Sequence, residues 1–136
     1  MRSLLAVREV ALAGFAVLAA ATALAVIAQT KHTTKHEAQP VGSFTALAGA
    51  SGPAVAGRTT ACGVVLSENT IGVANPTLPC GTHVFVTFRH KTVLVQVIER
   101  GPYTTGRQFG FTEALAREVG LSGVQPIRWS YARLPS

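Results

Sequence analysis

The sequence predicts one small all-β domain of about 95 residues, preceded by an amino-terminal segment that is not part of it. Its 136 residues are 48% hydrophobic and only 13% charged, which excludes a disordered polyelectrolyte. The 13 glycines and 7 prolines disfavour a helical bundle. After Pro40, the apolar residues occur in short runs bounded by Gly, Pro, Asn and Thr, without repeats, and this pattern is typical of β-strands.

Residues 1–28 are predicted to form a signal peptide or a membrane anchor. Arg2 and Arg8 precede an uncharged run rich in Ala, Leu and Val that extends from Val10 to Ala28, as in the n-region and h-region of a secretory signal. Cleavage after Ala28 fits the compact residues before it, whereas the run is also long enough to span a bilayer as an uncleaved helix. Both alternatives place the rest of the chain outside the cytoplasm.

Residues 29–40, with the sequence QTKHTTKHEAQP, are polar and lack a hydrophobic period, which predicts a linker before a domain at 41–136. His32 and His36 lie four residues apart and would share one face of a helix, where a metal could bind them. A solvated tether is the favoured interpretation of this composition. We expect neither a metal nor a cofactor in this protein.

The elements of the domain are five readable strands and one short helix. The β-branched and aromatic residues at 84–88 and 93–97 alternate, and the two runs flank His90 and Lys91, which predicts a hairpin. The nearly continuous apolar character of the second run fits a closed barrel. The helix is expected to begin after the N-cap Thr112 and to end at Gly120. The strands are expected near residues 42–48, 63–66, 83–89, 92–99 and 124–131.

Cys62 and Cys80 are the only cysteines. Because thiols of exported proteins are oxidised, a disulfide between them is expected, and closing this loop stabilises the fold by about 3 kcal/mol in the chain-entropy model. A zinc site is the alternative, but neither cysteine has a second ligand at CxxC or HxxxH spacing.

The charged residues exclude several classes of function. Twelve Lys and Arg against six acids give a net charge of +6, but the cations are scattered singly. Nucleic acid is therefore a weak option as partner, and the polyanionic polymers of the cell envelope are a better one. All six acids are Glu, which excludes Asp dyads, Ser-His-Asp triads and EF-hand loops.

Three segments together resemble one family: GRTTACG at 57–63, IGVANPTLPCGT at 71–82, and VIERGPY at 97–103 running on to Gly106 and Arg107. They are similar to the RlpA-like double-psi β-barrel domain of septal ring lytic transglycosylases, also called rare lipoprotein A, whose barrel is shared with expansins. The similarity covers about residues 57–131. It implies a six-stranded, pseudo-twofold barrel with a groove for a glycan strand, and the cysteine pair matches a disulfide-bearing branch of the family.

This chain departs from the family at the positions that carry its chemistry. Active members resemble one another in having a carboxylate, a His and two Asp residues where this chain has, in order, Val64, Asn75, Glu99 and Gly110. Only Glu99 is ionisable, and its extra methylene shifts the carboxylate by about an ångström. Glu99 is therefore the one credible acid, because Glu68, Glu113 and Glu118 are expected to be solvated. A structural ion pair with a neighbouring Arg is the alternative role for Glu99.

The residues expected to contact a sugar are Asn75, Arg100, Tyr103 and Arg107, which offer hydrogen bonds and one stacking face. Arg100 has a slightly favoured alternative role as a structural support of the loop that it precedes. Trp129 is expected in the core rather than at a stacking position, because it lies in the last apolar strand.

Three functions remain open from the sequence. The first is an exported, cell-wall-associated barrel that binds peptidoglycan or another wall glycan, with catalysis weak or lost. The second is an active peptidoglycan lytic transglycosylase with Glu99 as its acid. The third is a secreted barrel that binds a cell-envelope protein. In each case the protein faces outward in the cell wall or on the membrane, contacts the membrane only through its amino terminus, and binds no nucleic acid.

Overall fold

The computed structural model describes residues 37–52 and 56–136 of the chain. The predicted export segment at 1–28, most of the predicted linker, and the His32 and His36 pair lie outside the described residues. Within the described ranges, no helix is long and apolar enough to cross a membrane.

Six strands and one helix form the domain, and the strands close into a barrel in the order β1-β5-β2-β4-β3-β6. The prediction of a closed six-stranded barrel with one short helix is confirmed. In chain order the elements are β1 (Gln39–Ala50), β2 (Val73–Ala74), β3 (His83–Phe88), β4 (Lys91–Glu99), β5 (Phe109–Phe111), α1 (Glu113–Val119) and β6 (Val124–Arg133).

The core lies inside the barrel because side chains alternate between the two faces of each strand. In β3 every second residue is buried, namely Val84, Val86 and Phe88. Phe109 and Phe111 of β5 are also fully buried. Each such side chain contributes about 1.5–3 kcal/mol relative to an exposed one, so the inward face of the strands supplies most of the stability.

The β3–β4 hairpin forms one residue earlier than predicted. Phe88 pairs with Lys91, so the two turn residues are Arg89 and His90, and Arg89 adopts a positive φ of 54°. The hydroxyl oxygens of Thr87 and Thr92 lie 2.8 Å apart on the paired strands beside this turn, where they tie the two strands together.

The predicted strand at 63–66 is wrong, and two short strands were not predicted. Residues 57–66 instead fold back on themselves around a single bridge between Thr59 and Val65. The missed strands are β2, of two residues, and β5, of three. Neither is long enough to show a period of two, so only their neighbours in the barrel define them. We call residues 57–66 the 57–66 loop.

The helix has the predicted ends. The hydroxyl of Thr112 accepts a hydrogen bond from the backbone of Leu115 at 3.3 Å, and Gly120 closes the helix in the left-handed conformation at φ 77°. The same Thr112 hydroxyl accepts from the backbone of Gly72 at 3.3 Å. A Cβ at Gly72 would collide with the side chain of Ile98, so this close approach requires glycine.

Cys62 and Cys80 form a disulfide, as predicted, with their Cα atoms 5.5 Å apart. The bond attaches the 57–66 loop to the segment that leads into β3. The loop is thereby held against one end of the barrel, where β4 ends.

Candidate functional site

A cleft of about 270 Å³ opens beside the 57–66 loop. Two of the positions at which this chain departs from the family pattern, Glu99 and Gly110, line it. Neither Val64 nor Asn75 is among its lining residues. The polar groups around the cleft come from four separate parts of the chain and belong to Ser51, Arg58, Thr60, Glu99, Thr112 and Glu113.

A row of paired residues runs along the floor of the cleft and one strand beyond it, since Gly110, Ala74 and Glu99 line the cleft and Gly49 does not. Gly49 of β1 pairs with Gly110 of β5, Gly110 pairs with Ala74 of β2, and Ala74 pairs with Glu99 of β4. Paired residues on neighbouring strands point to the same face of a sheet, and strands lie about 4.8 Å apart, so the row is about 14 Å long. We call Gly110 and Ala74, which line the cleft, the small-residue floor.

A β-bulge directs Glu99 toward this floor. Val73 pairs with Val97, but the register shifts before the next residue, so Ala74 pairs with Glu99 rather than with Ile98. Bulges re-aim side chains in this way. Ile98 is consequently buried, and Glu99 stands at the end of the floor.

The carboxylate of Glu99 is surrounded by donors. Its Oε1 accepts hydrogen bonds from the backbone N–H groups of Ala61 and Arg100, both at 2.9 Å. Its Oε2 lies 3.0 Å from Nη1 of Arg58, and the Glu99 side chain is only 20% exposed. This arrangement corresponds to the ion-pair alternative for Glu99, and Arg58 of the 57–66 loop supplies the cation.

The pKa of Glu99 is lowered by these contacts. Burial acts in the opposite direction and raises it, but the backbone N–H groups of Ala61 and Arg100, together with the guanidinium of Arg58, outweigh burial. Glu99 is therefore ionised at neutral pH and accepts hydrogen bonds. A general acid requires the opposite shift, toward a raised pKa.

Asn75 and Arg100 are engaged inside the protein. Asn75 is 6% exposed, its Nδ2 donates to the carbonyl of Gln108 at 3.1 Å, and its Oδ1 accepts from the backbone of Leu78 at 2.8 Å. The Nη1 of Arg100 donates to the carbonyls of Asn75 and Leu78, and its Nη2 lies 3.1 Å from the sulfur of Cys80. For Arg100 this geometry is that of the structural support considered above.

Tyr103 and Arg107 project from the segment between β4 and β5. Tyr103 is 80% exposed. The guanidinium of Arg107 lies on the backbone of Gly49, where an added Cβ would be 3.0 Å from Cζ and from Nε. Trp129, half-buried, packs against the core with its ring centroid 5.3 Å from that of Phe109, as expected.

Three residues that sequence reasoning left unassigned also line the cleft. Arg58 belongs to the GRTTACG segment, but nothing in that segment shows that it pairs with Glu99. Ser51 follows β1 and is brought in by the closure of the barrel. Glu113, expected to be solvated, is 43% exposed and forms an ion pair with Arg117 at 3.3 Å, yet it also borders the cleft. The position of Glu113 directly after the cap residue Thr112 was the sequence feature that could have indicated a role near this end of the barrel.

Across residues 37–52 and 56–136, no group of three or more His, Cys, Asp or Glu side chains is arranged to hold a metal ion.

No family model matches the chain, but curated proteins do. The endolytic peptidoglycan transglycosylase RlpA of Pasteurella multocida is 41% identical over 76 residues, which are 53% of this chain and 26% of that protein. The RlpA of Yersinia pestis is 37% identical over 84 residues, 60% of this chain and 23% of that protein. The predicted resemblance to RlpA-like barrels is confirmed. The chain spans about a quarter of the length of these curated relatives.

Solved structures share the fold of this RlpA-like barrel. The apo expansin of Clavibacter michiganensis aligns with a TM-score of 0.57 and 23% identity, covering 70% of this chain and 52% of that chain. A mutant of that expansin in complex with cellohexaose aligns equally well, at 0.57 and 21% identity over the same shares. The Streptomyces papain inhibitor aligns at 0.54 and 22% identity, covering 69% of this chain and 97% of the inhibitor.

Proposed function

We propose that this protein is an extracytoplasmic, cell-wall-associated barrel that binds peptidoglycan glycan in the cleft and cleaves it poorly or not at all. The observation that carries the proposal is the state of Glu99, the one acid at a matching family position. It is held as a carboxylate by two backbone N–H groups and by Arg58.

The relatives support a glycan as ligand. The proteins with 37–41% identity to this domain are named as peptidoglycan transglycosylases, and an expansin with the same fold is known in complex with cellohexaose. The disulfide between Cys62 and Cys80 agrees with a location in an oxidising compartment outside the cytoplasm.

The lining of the cleft suits sugar hydroxyls. The carboxylates of Glu99 and Glu113 are acceptors, the guanidinium of Arg58 is a donor, and Ser51 and Thr60 carry hydroxyls that act as both. The small-residue floor keeps the centre open for a flat sugar ring. A volume of about 270 Å³ lies near the lower end for ligand sites, which fits a short stretch of a polymer.

Asn75 and Arg100 have a different role in this proposal. Their hydrogen-bonding groups are occupied by the backbone of residues 75–78 and by Gln108. We assign to both the task of shaping the wall of the barrel end, whereas Tyr103, exposed on the neighbouring segment, is available to stack on a sugar.

Weak catalysis follows from the chemistry of the two carboxylates at the cleft. Glycosidases in general use a pair of carboxyl groups with separated pKa values. Here the pKa of Glu99 is lowered by its backbone and Arg58 donors, which disfavours the protonated form that donates to a leaving sugar. Glu113 is 43% exposed and forms an ion pair with Arg117. The active lytic transglycosylase is the second candidate, supported by the names of the relatives and by the place of Glu99 in the cleft.

One experiment separates these functions. The purified chain is incubated with peptidoglycan sacculi, and both the pelleted protein and the released muropeptides are measured. We expect protein in the pellet and no anhydro-muropeptides above background. Glu99→Gln tests the acid directly, and Glu68→Gln is the matched control, because Glu68 lies in an exposed turn outside the cleft.

Two outcomes would contradict the proposal. Release of anhydro-muropeptides by the unchanged chain, abolished in Glu99→Gln but not in Glu68→Gln, establishes the transglycosylase. Absence of both pelleting and release leaves the third function, a barrel that binds a protein.

A further inference from the structure

The guanidinium of Arg107, which lies on Gly49 one strand away from the cleft-lining Gly110, has no partner among the described residues. The ion pairs among the described residues join Arg58 to Glu99, Lys91 to Glu118 and Arg117 to Glu113. The side chain of Arg107 takes part in none of them, and its Nε is buried without a hydrogen-bond partner. A buried charged donor without a partner is unfavourable, so this position favours an anion supplied from outside the domain.

The guanidinium is held in a defined place. It lies flat on β1 because Gly49 has no Cβ, and a Cβ there would approach Cζ and Nε to 3.0 Å and Nη1 to 3.2 Å. Arg107 also lines a hollow of about 400 Å³, together with Thr45 and Gln108. The donor is therefore positioned before any ligand binds, which reduces the entropy lost on binding.

The position of Arg107 relative to the floor connects it to the cleft. Gly49, under the guanidinium, pairs with Gly110, and Gly110 pairs with Ala74, which pairs with Glu99. The row thus has a free cation at one end and the bound carboxylate of Glu99 at the other, about 14 Å away. Gly110 lines the cleft, so Arg107 lies one strand beyond it, and a ligand that extends out of the cleft past Ser51 and Pro102, which stand over Gly110, reaches the guanidinium.

We propose that Arg107, above Gly49, binds a carboxylate carried by the glycan, so that the ligand of this domain is an acidic glycan rather than a neutral one. The inference rests on the proposed glycan-binding function. A guanidinium presents paired N–H donors that match a carboxylate in a two-point contact, which a sugar hydroxyl does not offer. In peptidoglycan, carboxylates occur on the lactyl group of peptide-free muramic acid and on the attached peptides.

The test compares glycans that differ only in charge. Affinities are measured by calorimetry for peptide-free glycan strands, for the same strands with their carboxylates converted to neutral amides, and for soluble peptidoglycan fragments that retain their peptides. The unchanged chain is expected to bind the acidic strands about 10-fold to 100-fold more tightly than the neutralised ones, the range of a hydrogen bond to a charged group. Tighter binding of peptide-free strands than of peptide-bearing fragments identifies the lactyl carboxylate, and the reverse identifies the peptide carboxylates.

Variants assign the effect to Arg107. Arg107→Gln is expected to bind acidic and neutralised strands equally, and Arg107→Lys, which keeps the charge but loses the paired donors, to retain part of the preference. Arg133→Gln is the matched control, because Arg133 is exposed near the end of β6 and carries the same change in charge. The melting temperature of Arg107→Gln should change little, since the guanidinium makes no hydrogen bond or ion pair within the described residues and only its packing on Gly49 is altered.

The inference is overturned if the unchanged chain binds acidic and neutralised strands with the same affinity, or if Arg107→Gln keeps the preference. Both results would leave the glycan-binding function intact. If the unchanged chain binds none of the glycans, the proposed function and the inference fail together.

Discussion

Arg58 and Glu99 form an ion pair, with 3.0 Å between Nη1 and Oε2, that joins the 57–66 loop to the end of β4. The same carboxylate accepts the backbone N–H of Ala61 from that loop. Glu99 therefore has two roles at once: it holds the loop over the barrel end, and it presents a negative group to the cleft. Replacing it is expected to change stability as well as ligand binding.

Glu99→Gln is expected to lower the free energy of unfolding by about 1–2 kcal/mol. The variant loses an ion pair and the charge of an acceptor for two backbone donors, which are worth more than neutral hydrogen bonds. The effect is smaller than for a fully buried pair because Arg58 is 51% exposed. Denaturant unfolding at neutral pH measures it. The free energy of unfolding of Glu68→Gln should stay within about 0.5 kcal/mol of that of the unchanged chain. An equal loss of stability in both variants would contradict the role of Glu99 in holding the loop.

The contribution of Glu99 to stability should depend on pH. Its pKa is lower in the folded chain than the ordinary value of 4.5, so the folded state binds its proton less readily than the unfolded state. The stabilisation is complete above that ordinary value and disappears as the pH falls through the lowered folded pKa. Unfolding curves between pH 7 and pH 3 should show the difference between the unchanged chain and Glu99→Gln shrinking with acid. A difference that is constant over this range contradicts the proposed ionisation.

Asn75→Ala is expected to destabilise the domain by about 1–3 kcal/mol, because Asn75 is 6% exposed and its removal leaves three partly buried backbone groups without their partner. The groups affected are the N–H of Thr77, the N–H of Leu78 and the carbonyl of Gln108. Asn69→Ala, in an exposed turn, is the matched control. If Asn75→Ala has the same free energy of unfolding as Asn69→Ala but binds glycan less tightly, Asn75 contacts the sugar. The structural role assigned to Asn75 is then wrong.

Opening the disulfide should lower stability by about 3 kcal/mol in the chain-entropy model, since Cys62 and Cys80 are 18 residues apart in sequence. The comparison is between the oxidised chain and the double variant Cys62→Ser with Cys80→Ser. Because the bond anchors the loop that donates to Glu99, the N–H of Ala61 should also exchange with solvent faster in the variant. Uptake of alkylating label by both thiols without prior reduction would show that the bond is absent in the protein as isolated.

The fold was predictable where one strand contains enough residues to show its own pattern. The six residues of β3 alternate clearly, the nine of β4 form a long and nearly continuous apolar run, and the caps Thr112 and Gly120 define α1 without reference to the rest of the chain. The strands β2 and β5 could not be predicted, because two or three residues form a strand only when neighbours on both sides supply hydrogen bonds.

The site was predictable only in part, for a related reason. The resemblance to the family identified Glu99 and Gly110, which both line the cleft. Which residues surround them depends on the register shift between Val73 and Ala74 and on the way the 57–66 loop folds back. Both are tertiary features. The sequence likewise could not indicate that the side chain of Asn75 is bonded to the backbone on both sides of its amide, whereas the guanidinium of Arg107 has no hydrogen-bond or ion-pair partner among the described residues.

Gly110→Asp is expected to weaken binding of acidic glycan about tenfold or more while leaving the fold intact. A side chain at this position points into the cleft, where its Cβ would lie 3.0 Å from Oγ of Ser51 and 3.3 Å from Cβ of Ala74. The hydroxyl of Ser51 can rotate away, so the crowding is tolerable, but the new carboxylate would lie one strand from Gly49, on which the guanidinium of Arg107 lies, and would repel a carboxylate of the ligand.

Gly110→Ala separates charge from bulk in this test, because it adds the same Cβ without the carboxylate. We expect Gly110→Ala to weaken the binding of acidic and of neutralised glycan strands to a similar and smaller extent. Gly110→Asp should selectively weaken the binding of the acidic strands. Titration calorimetry on both variants, with melting curves to verify folding, measures the difference. If both variants lose the same affinity for acidic and for neutralised strands, a side chain at position 110 weakens binding only by filling part of the cleft. The carboxylate of the ligand then binds away from Arg107.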